Sequence, residues 1–255
     1  KNIKFNLKMN FICTICARGN SKGVINKALK KIQGTPLIAI TIKQALSSNL
    51  FDEVVVSTDS KKIQKVAVKY GAKSWFLRSK NLSNDYSSKI LAIRDVFSKS
   101  EIHFNKKFDI CVDLDITSPL RNINDIKKSL KLFISKKKMQ NIFSVCEARR
   151  KPYFNMVEIK DNIVRIVKKY KKKPKGKNLL VPSKKSSSFY RRQSAPKVFD
   201  MNASIYIWKR SKLLTSNQLI SNSTGIYKMP QDRSIDIDSY FDLFLVKQIL
   251  NKISK

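Results

Sequence analysis

Histidine occurs once in this chain, at position 103. A histidine-rich metal cluster is thereby excluded, and no imidazole stands near the polar loops described below to serve as a base. Apolar runs are short, seven or eight residues at the longest, against the ~20 that a membrane-spanning helix needs. The lysine-bearing stretch from Lys1 to Lys8 followed by "FICTICA" superficially imitates an export signal, but its apolar part is brief, contains Thr14 and has no small-residue cleavage site. The expectation is a soluble, cytoplasmic protein without a membrane partner. Cysteines are few: Cys13, Cys16, Cys111 and Cys146 each fall in a run that reads as a buried strand, where the thiol behaves as a small apolar group. Cys13 and Cys16 form a C-x-x-C, yet no second pair follows, so reduced structural thiols are expected rather than zinc or redox chemistry.

Acidic residues are scarce too. Only 18 Asp and Glu face 53 Lys and Arg, a net charge of +35. Such a balance suggests nucleic acid, but the 42 lysines are strewn over nearly every expected helix and loop. That spread looks like a compositional bias, which attracts polyanions weakly and non-specifically. A basic nucleic-acid-binding protein is the alternative of another class; no specific nucleic acid is expected. Against so much lysine, each of the 11 arginines suggests a place where a planar, bidentate donor matters.

What is present is an alternation of elements. Helical periodicity appears in "GTPLIAITIKQALSSN", "SKKIQKVAVKYGA", "SSKILAIRDVFSKS" and "INDIKKSLKLFISKKK". Buried strands are expected at "FICTI", "DEVVVSTD", "KSWFLR", "FDICVDLD", "NIFSVCEA" and "DMNASIYIWKR". "YFNMVEI" and "NIVRIVKK" read as a hairpin turning at Asp161-Asn162. Lys168 to Ser188 is a lysine-, serine- and proline-rich excursion, expected to be solvated and mobile. "DSYFDLFLVKQILNKI" is a closing amphipathic helix, with Phe241, Phe244, Leu245, Ile249 and Leu250 toward the core. The pattern implies an α/β fold, a mostly parallel central sheet with helices on both faces. Ligands then gather outside the carboxyl ends of the strands, and "ARGNSKG", "STDS" and "DLDITSPLR" all leave strands there.

The first of these loops holds two of only six glycines, Gly19 and Gly23, with Asn20, Ser21, Arg18, Lys22 and, a little further on, Lys27. Free backbone N–H groups between strand and helix, with this much positive charge, suit a polyphosphate. Neither G-x-x-x-x-G-K-[ST] nor G-x-G-x-x-G is present. Near the other end, "SIDIDS" sets Asp236 and Asp238 two apart, on one side of an extended segment. Like charges held close call for a cation or a shared proton, and Mg2+ prefers one or two carboxylates plus phosphate oxygens. Asp113 and Asp115 repeat the spacing and form a rival pair.

In sequence order, "ARGNSKG…K", "GTPLI", "VSTDS", "FLR…LSND", "TSPLR", "RRQSAPKVFDMNASIYI" and "DIDS" resemble the acylneuraminate cytidylyltransferases, from about Phe11 to Leu250. "TICARG", "ARRKPYFNMVE" and "NSTGIY" resemble the branch that activates N,N'-diacetyllegionaminic acid. The resemblance implies a single cytidylyltransferase domain over residues 10–255, with a Rossmann-like nucleotidyltransferase fold and a protruding dimerisation region at about 149–197. Its substrates would be CTP and a nine-carbon sugar acid, its cofactor Mg2+ on Asp236 and Asp238, and its state a homodimer. Arg18, Gly19, Asn20, Ser21, Lys22 and Lys27 would meet the phosphates, with Arg78 and Asp85 further round the nucleotide. Asp115, Thr117 and Ser118, then Arg192, Gln193, Asn202 and Tyr206, would serve the sugar acid. Arg18, Lys22, Asp236 and Asp238 would carry catalysis. The pattern departs in three places: Ile25 and Ala28 replace a proline and an asparagine of the sialic acid enzymes, and Asp115 replaces a glutamine associated with the sugar. An ionised carboxylate cannot donate a hydrogen bond, which argues for a different sugar or a different arrangement of its polar groups. CMP-sialic or CMP-pseudaminic acid synthesis, or a catalytically dead homologue, are the alternatives.

Overall fold

The computed structural model describes residues 9–84, 86–168 and 191–253. Its elements run in the expected alternation. Strand β1 (Phe11–Cys16) enters a long loop, a tiny ribbon of β2 (Lys31–Ile32) and β3 (Thr35–Pro36), and helix α1 (Leu37–Ser47). Next come β4 (Glu53–Ser57), α2 (Lys61–Lys69), α3 (Lys89–His103), β5 (Ile110–Leu114) and α4 (Ile123–Ser135). After β6 (Asn141–Glu147), strands β7 (Val157–Lys160) and β8 (Ile163–Ile166) form a hairpin. The chain closes with β9 (Phe199–Lys209), α5 (Arg210–Thr215), β10 (Thr224–Lys228) and α6 (Tyr240–Ile253).

Six strands make one sheet in the order β10-β6-β9-β5-β1-β4. β1 is parallel to both β4 and β5, and β10 to β6, while β9 runs antiparallel to β5. Alternate residues separate the two faces. Cys13, Ile15, Val54, Val56, Val112 and Ile207 join Ile38, Ile42, Ile63, Ala67, Leu130 and Phe133 in one core, so α1, α2 and α4 cover that face. Helix α3 packs on β1 and β4 from the other face, the face that carries Thr14, Asp113 and Tyr206. Helix starts are chemically defined: the Ser60 side chain accepts from Ile63 N at α2, and Asn122 and Asp125 cap α4 reciprocally.

The chain divides into two compact units, one of residues 1–145 and 201–255 and one of residues 146–200. Within it the β7–β8 hairpin turns at Asp161 and Asn162, with φ of 53° and 58°. Two consecutive left-handed residues match the twist of paired strands, and Asp and Asn tolerate that conformation. The lysine-rich excursion, apart from Lys168, lies outside the described residues.

Two expectations change and one strand is added. "KSWFLR" is not a strand: it makes one parallel bridge, Lys73 to Val55, and then Gln64 of α2 donates to the carbonyls of Ser74 and Phe76, replacing a neighbouring strand. β10, in "NSTGIYK", was not anticipated. On α6 the core takes Leu243 and Val246, whereas Phe241 and Phe244 are 67% and 53% exposed. Among the described residues no helix is long and apolar enough to cross a membrane.

Candidate active site

Because β1, β4 and β5 are parallel neighbours, the loops that follow them emerge at one edge. Hydrogen bonds tie those loops together. Ala17 N donates to Ser57 O at 3.0 Å, and Gly19 N donates to Asp59 Oδ1 at 2.7 Å. The "SIDIDS" segment lies on the first loop: a Cβ placed on Gly23 would come within 1.8 Å of the Asp238 carbonyl oxygen. Only glycine permits that approach. Ile237 N donates to Thr117 O at 2.8 Å, fastening the same segment to the loop after β5.

Lys27 completes the junction. Left-handed Asn26 turns the chain into a short 3-10 turn, Lys27–Leu29, that buries Lys27. Its ammonium donates to Ile237 O and lies 3.2 Å from Asp238 Oδ1. This lysine therefore fixes the acidic segment beside the loop, and its charge already has a carboxylate partner.

A cleft of about 300 Å³ opens between these loops, with Arg18, Ser21, Lys27, Lys89, Asp115 and Asp238 among its walls. A hollow of about 420 Å³ shares Arg18 and Ser21 with it and adds Asn20 and Lys22. Gly19, expected at the phosphates, lines neither, and its backbone N is taken by Asp59 Oδ1. Arg78 belongs to the cleft although only 4% exposed: its backbone N donates to Thr58 O at 2.8 Å and its Nε to Ser83 Oγ at 3.1 Å. Its buried Nη2 has no hydrogen-bond partner among the described residues. Leaving a charged donor so is costly, and a ligand oxygen in the cleft would relieve it. Asp85 lies outside the described residues.

The two acidic pairs differ. Lys89, at the start of α3, places its Nζ 2.6 Å from Asp115 Oδ2 and 3.2 Å from Asp113 Oδ2. The rival pair already holds a cation, an ammonium that sequence pattern did not disclose. Burial raises the Asp113 carboxyl, with Lys89 pulling against it. For Asp115, burial is outweighed by the charge and hydrogen bond of Lys89 and by two bonds from Thr117, and the pKa falls. Burial opposes the charge of Lys89, but Asp115 and Asp113 prevail and raise its pKa.

Asp236 is half-buried, and burial and then the charge of Asp238 push its carboxyl upward. No group of three His, Cys, Asp or Glu side chains fit for a metal occurs among the described residues. Asp238 nevertheless lines a cationic cleft, with Asp236 two residues before it, and carboxylates so spaced suit a hard divalent ion that takes its remaining ligands from phosphate and water.

The other expected residues divide by location. Thr117 donates from both N and Oγ1 to Asp115 Oδ1, each at 3.1 Å. Tyr206 is buried, with Lys89 Nζ 4.2 Å from its ring centroid. Ser118 and Asn202 are internal. Ser118 Oγ donates to Asn202 O at 3.0 Å, while the Asn202 amide accepts from Ser144 Oγ at 2.7 Å and donates to Ser234 Oγ at 2.9 Å. With both ends of its amide engaged and 2% exposure, Asn202 braces the segment leading to Asp236. Arg192 and Gln193 belong to the second unit, exposed in a 3-10 turn whose Arg192 carbonyl accepts from Lys151 Nζ at 2.9 Å. Of the cysteines, Cys16 is only partly buried and reaches the cleft.

Comparison with known proteins identifies the family. A family model described as cytidylyltransferase matches residues 12–240. The CMP-N,N'-diacetyllegionaminic acid synthase of Campylobacter jejuni is 42% identical over 240 residues, 94% of each chain. The post-translational flagellin modification protein B of Campylobacter coli is 40% identical over 241 residues, covering 94% of this chain and 95% of that one. A solved CMP:2-keto-3-deoxy-manno-octonic acid synthetase in complex with CTP shares the fold, with a TM-score of 0.67 at 16% identity over 95% of this chain and 99% of that one. A match spanning both the glycine-bearing loop and the paired acids that rest on it leaves one conclusion: the chain is a nucleotidyltransferase and belongs to the cytidylyltransferase family.

Proposed function

We propose that this enzyme activates a nonulosonic sugar acid with CTP, giving the CMP-sugar and pyrophosphate, and that N,N'-diacetyllegionaminic acid is the sugar. The observation that carries the reading is the seating of the Asp238 backbone on Gly23 beside Arg18 and Lys22. One acid of the pair and the cationic loop thereby line one cleft. The sugar's identity is supported by the likeness to the legionaminic acid synthase over nearly the whole of both chains.

In the proposed reaction the anomeric hydroxyl oxygen bonds to the α-phosphorus, the bond to the β-phosphate oxygen breaks, and pyrophosphate leaves with that electron pair. The hydroxyl proton passes to a carboxylate or solvent base. Arg18 and Lys22 hold the phosphates and offset the charge that gathers on the departing pyrophosphate. Arg78 offers its Nη2 to the nucleotide, and Lys27 keeps Asp238 in place. Asp236 and Asp238 would hold Mg2+, which when bound lowers the pKa of a coordinated hydroxyl and neutralises phosphate charge. The remainder of the protein's contribution is placement.

Two copies would meet through the second unit, where Val157, Ile159, Ile163 and Val164 are each more than half exposed on the hairpin. Sedimentation of the Ile159→Lys variant as a dimer like the wild type would count against this.

The decisive measurement is pyrophosphate release with CTP, Mg2+ and, separately, legionaminic, sialic and pseudaminic acids. Highest kcat/KM with the N,N'-diacetylated legionaminic acid is expected. Preference for another acid would reassign the sugar, and CTP binding without pyrophosphate release in the presence of any of the acids would overturn the enzymatic reading.

A further inference from the structure

The register of β5 sets Asp113 opposite Thr14 on one side and Tyr206 on the other. The carboxylate is wholly buried in the middle of the sheet. Thr14 Oγ1 donates to its Oδ1 at 2.9 Å. Its Oδ2 lies 3.2 Å from Lys89 Nζ, close enough for an ion pair, yet makes no aligned hydrogen bond among the described residues. An isolated carboxylate there would be strongly unfavourable. Lys89 supplies the counter-charge by reaching from the first residue of α3 to the sheet, under the ring of Tyr206. The same ammonium makes its shorter contact, 2.6 Å, with Asp115 Oδ2. One buried anion thus holds a lysine, and that lysine holds a second carboxylate at the cleft wall.

This wall has a definite chemistry. With both acids ionised, Lys89, Asp113 and Asp115 together carry one negative charge, so a polyphosphate is drawn instead toward Arg18, Lys22 and Arg78. Asp115 Oδ1 is filled by the two donors of Thr117, while Oδ2 takes Lys89 and keeps acceptor capacity. What it can accept is an N–H or O–H.

We propose that Lys89 is a positioning residue that fixes Asp115 as a hydrogen-bond acceptor for an N-acyl N–H or a hydroxyl of the sugar acid, making the pair a determinant of which acid is taken. The inference rests on the functional reading above. It predicts a one-substrate defect that passes through Asp115.

The test is a steady-state cycle of wild type, Lys89→Met, Asp115→Asn and the double variant, measuring KM separately for CTP and for the preferred acid. Lys89→Met should raise KM for the acid at least tenfold while KM for CTP stays within twofold. Because Lys89 acts through Asp115, it should add less than a further twofold in the Asp115→Asn background. An unchanged acid KM, an equal rise for CTP, or effects that multiply would each overturn the proposal. Lys89→Met strands a buried anion, so the cycle is repeated in an Asp113→Asn background; if Lys89→Met alone does not fold, that second cycle decides. A wild type that turns over none of the acids removes the functional reading and this inference together, whereas an active wild type with an unaffected lysine variant removes the inference alone.

Discussion

At the scale of single residues, contacts that need long-range placement matter most at the cleft. Gly23 is required because the Asp238 carbonyl occupies the space a side chain would fill, with 1.8 Å to a built Cβ. Gly23→Ala must push the acidic segment off the loop, and backbone has no rotamer with which to give way. The expected outcome is a loss of at least tenfold in kcat and a weaker Mg2+ dependence, checked by pyrophosphate release across a Mg2+ titration. Asp238→Asn removes one of two carboxylate charges without adding bulk. It should cut turnover by roughly a hundredfold, the scale of losing one electrostatic stabiliser at a reacting phosphate; turnover near that of the wild type would refute its role. That Arg18, Lys22 and Asp238 gather at the cleft and the hollow beside it was legible in the sequence because loop chemistry and i, i+2 spacing are local signals. Lys89 was not, since it is one lysine among 42 and its partners lie 24 and 26 positions away, on β5 and just past its end.

At the scale of elements, the start of α6 carries the acidic segment and can be tested apart from catalysis. Asp242 Oδ2 accepts from the backbone N of Asp238 and Ser239, at 3.1 and 2.7 Å, and Ser239 Oγ in turn accepts from Asp242 N. Reciprocal bonds of this kind satisfy donors that a helix start leaves open. Asp242→Ala should cost about 1 kcal/mol, the usual effect of losing a cap, read from denaturant unfolding. Burial works against the Asp242 charge, but the bonds from Ser239 and Asp238 outweigh it and lower its pKa from 3.8. A carboxyl whose pKa is lowered on folding stabilises the fold above its ordinary pKa and ceases to as pH falls through the lowered one. The stability gap between Asp242→Asn and wild type should therefore close on acidification below about pH 4. The same helix shows where sequence periodicity fails. Tyr240, Phe241, Leu243, Phe244, Leu245 and Val246 put apolar side chains on several faces, and only packing against Val24, Ile32 and Leu37 selects Leu243 and Val246 for the core. Helices α2 and α4 have polar opposite faces, and α1 and α3 were legible from their length and apolar spacing. "KSWFLR" was misread because its β-like composition is satisfied by Gln64, a contact with no local signature.

At the scale of the whole molecule, charge is the dominant feature. A surplus of 35 positive charges creates a field that draws any polyanion, so CTP should arrive faster than its local contacts alone provide. Steering of this kind depends on charges remote from the cleft, which salt screens, whereas the contacts of Arg78 and Lys27 are buried and much less sensitive. The screening length falls from about 30 Å to about 10 Å between about 10 mM and 0.1 M ionic strength. Across that range kcat/KM for CTP should fall severalfold while kcat stays nearly constant, measured at fixed Mg2+ with the preferred acid saturating. Non-specific retention of single-stranded or duplex nucleic acid should vanish over the same range, because lysines scattered over many elements release counterions without forming a groove-shaped site. Sequence-selective retention that survives 0.15 M salt, about physiological, would instead place nucleic acid among the true partners and show that the lysines were arranged rather than merely abundant.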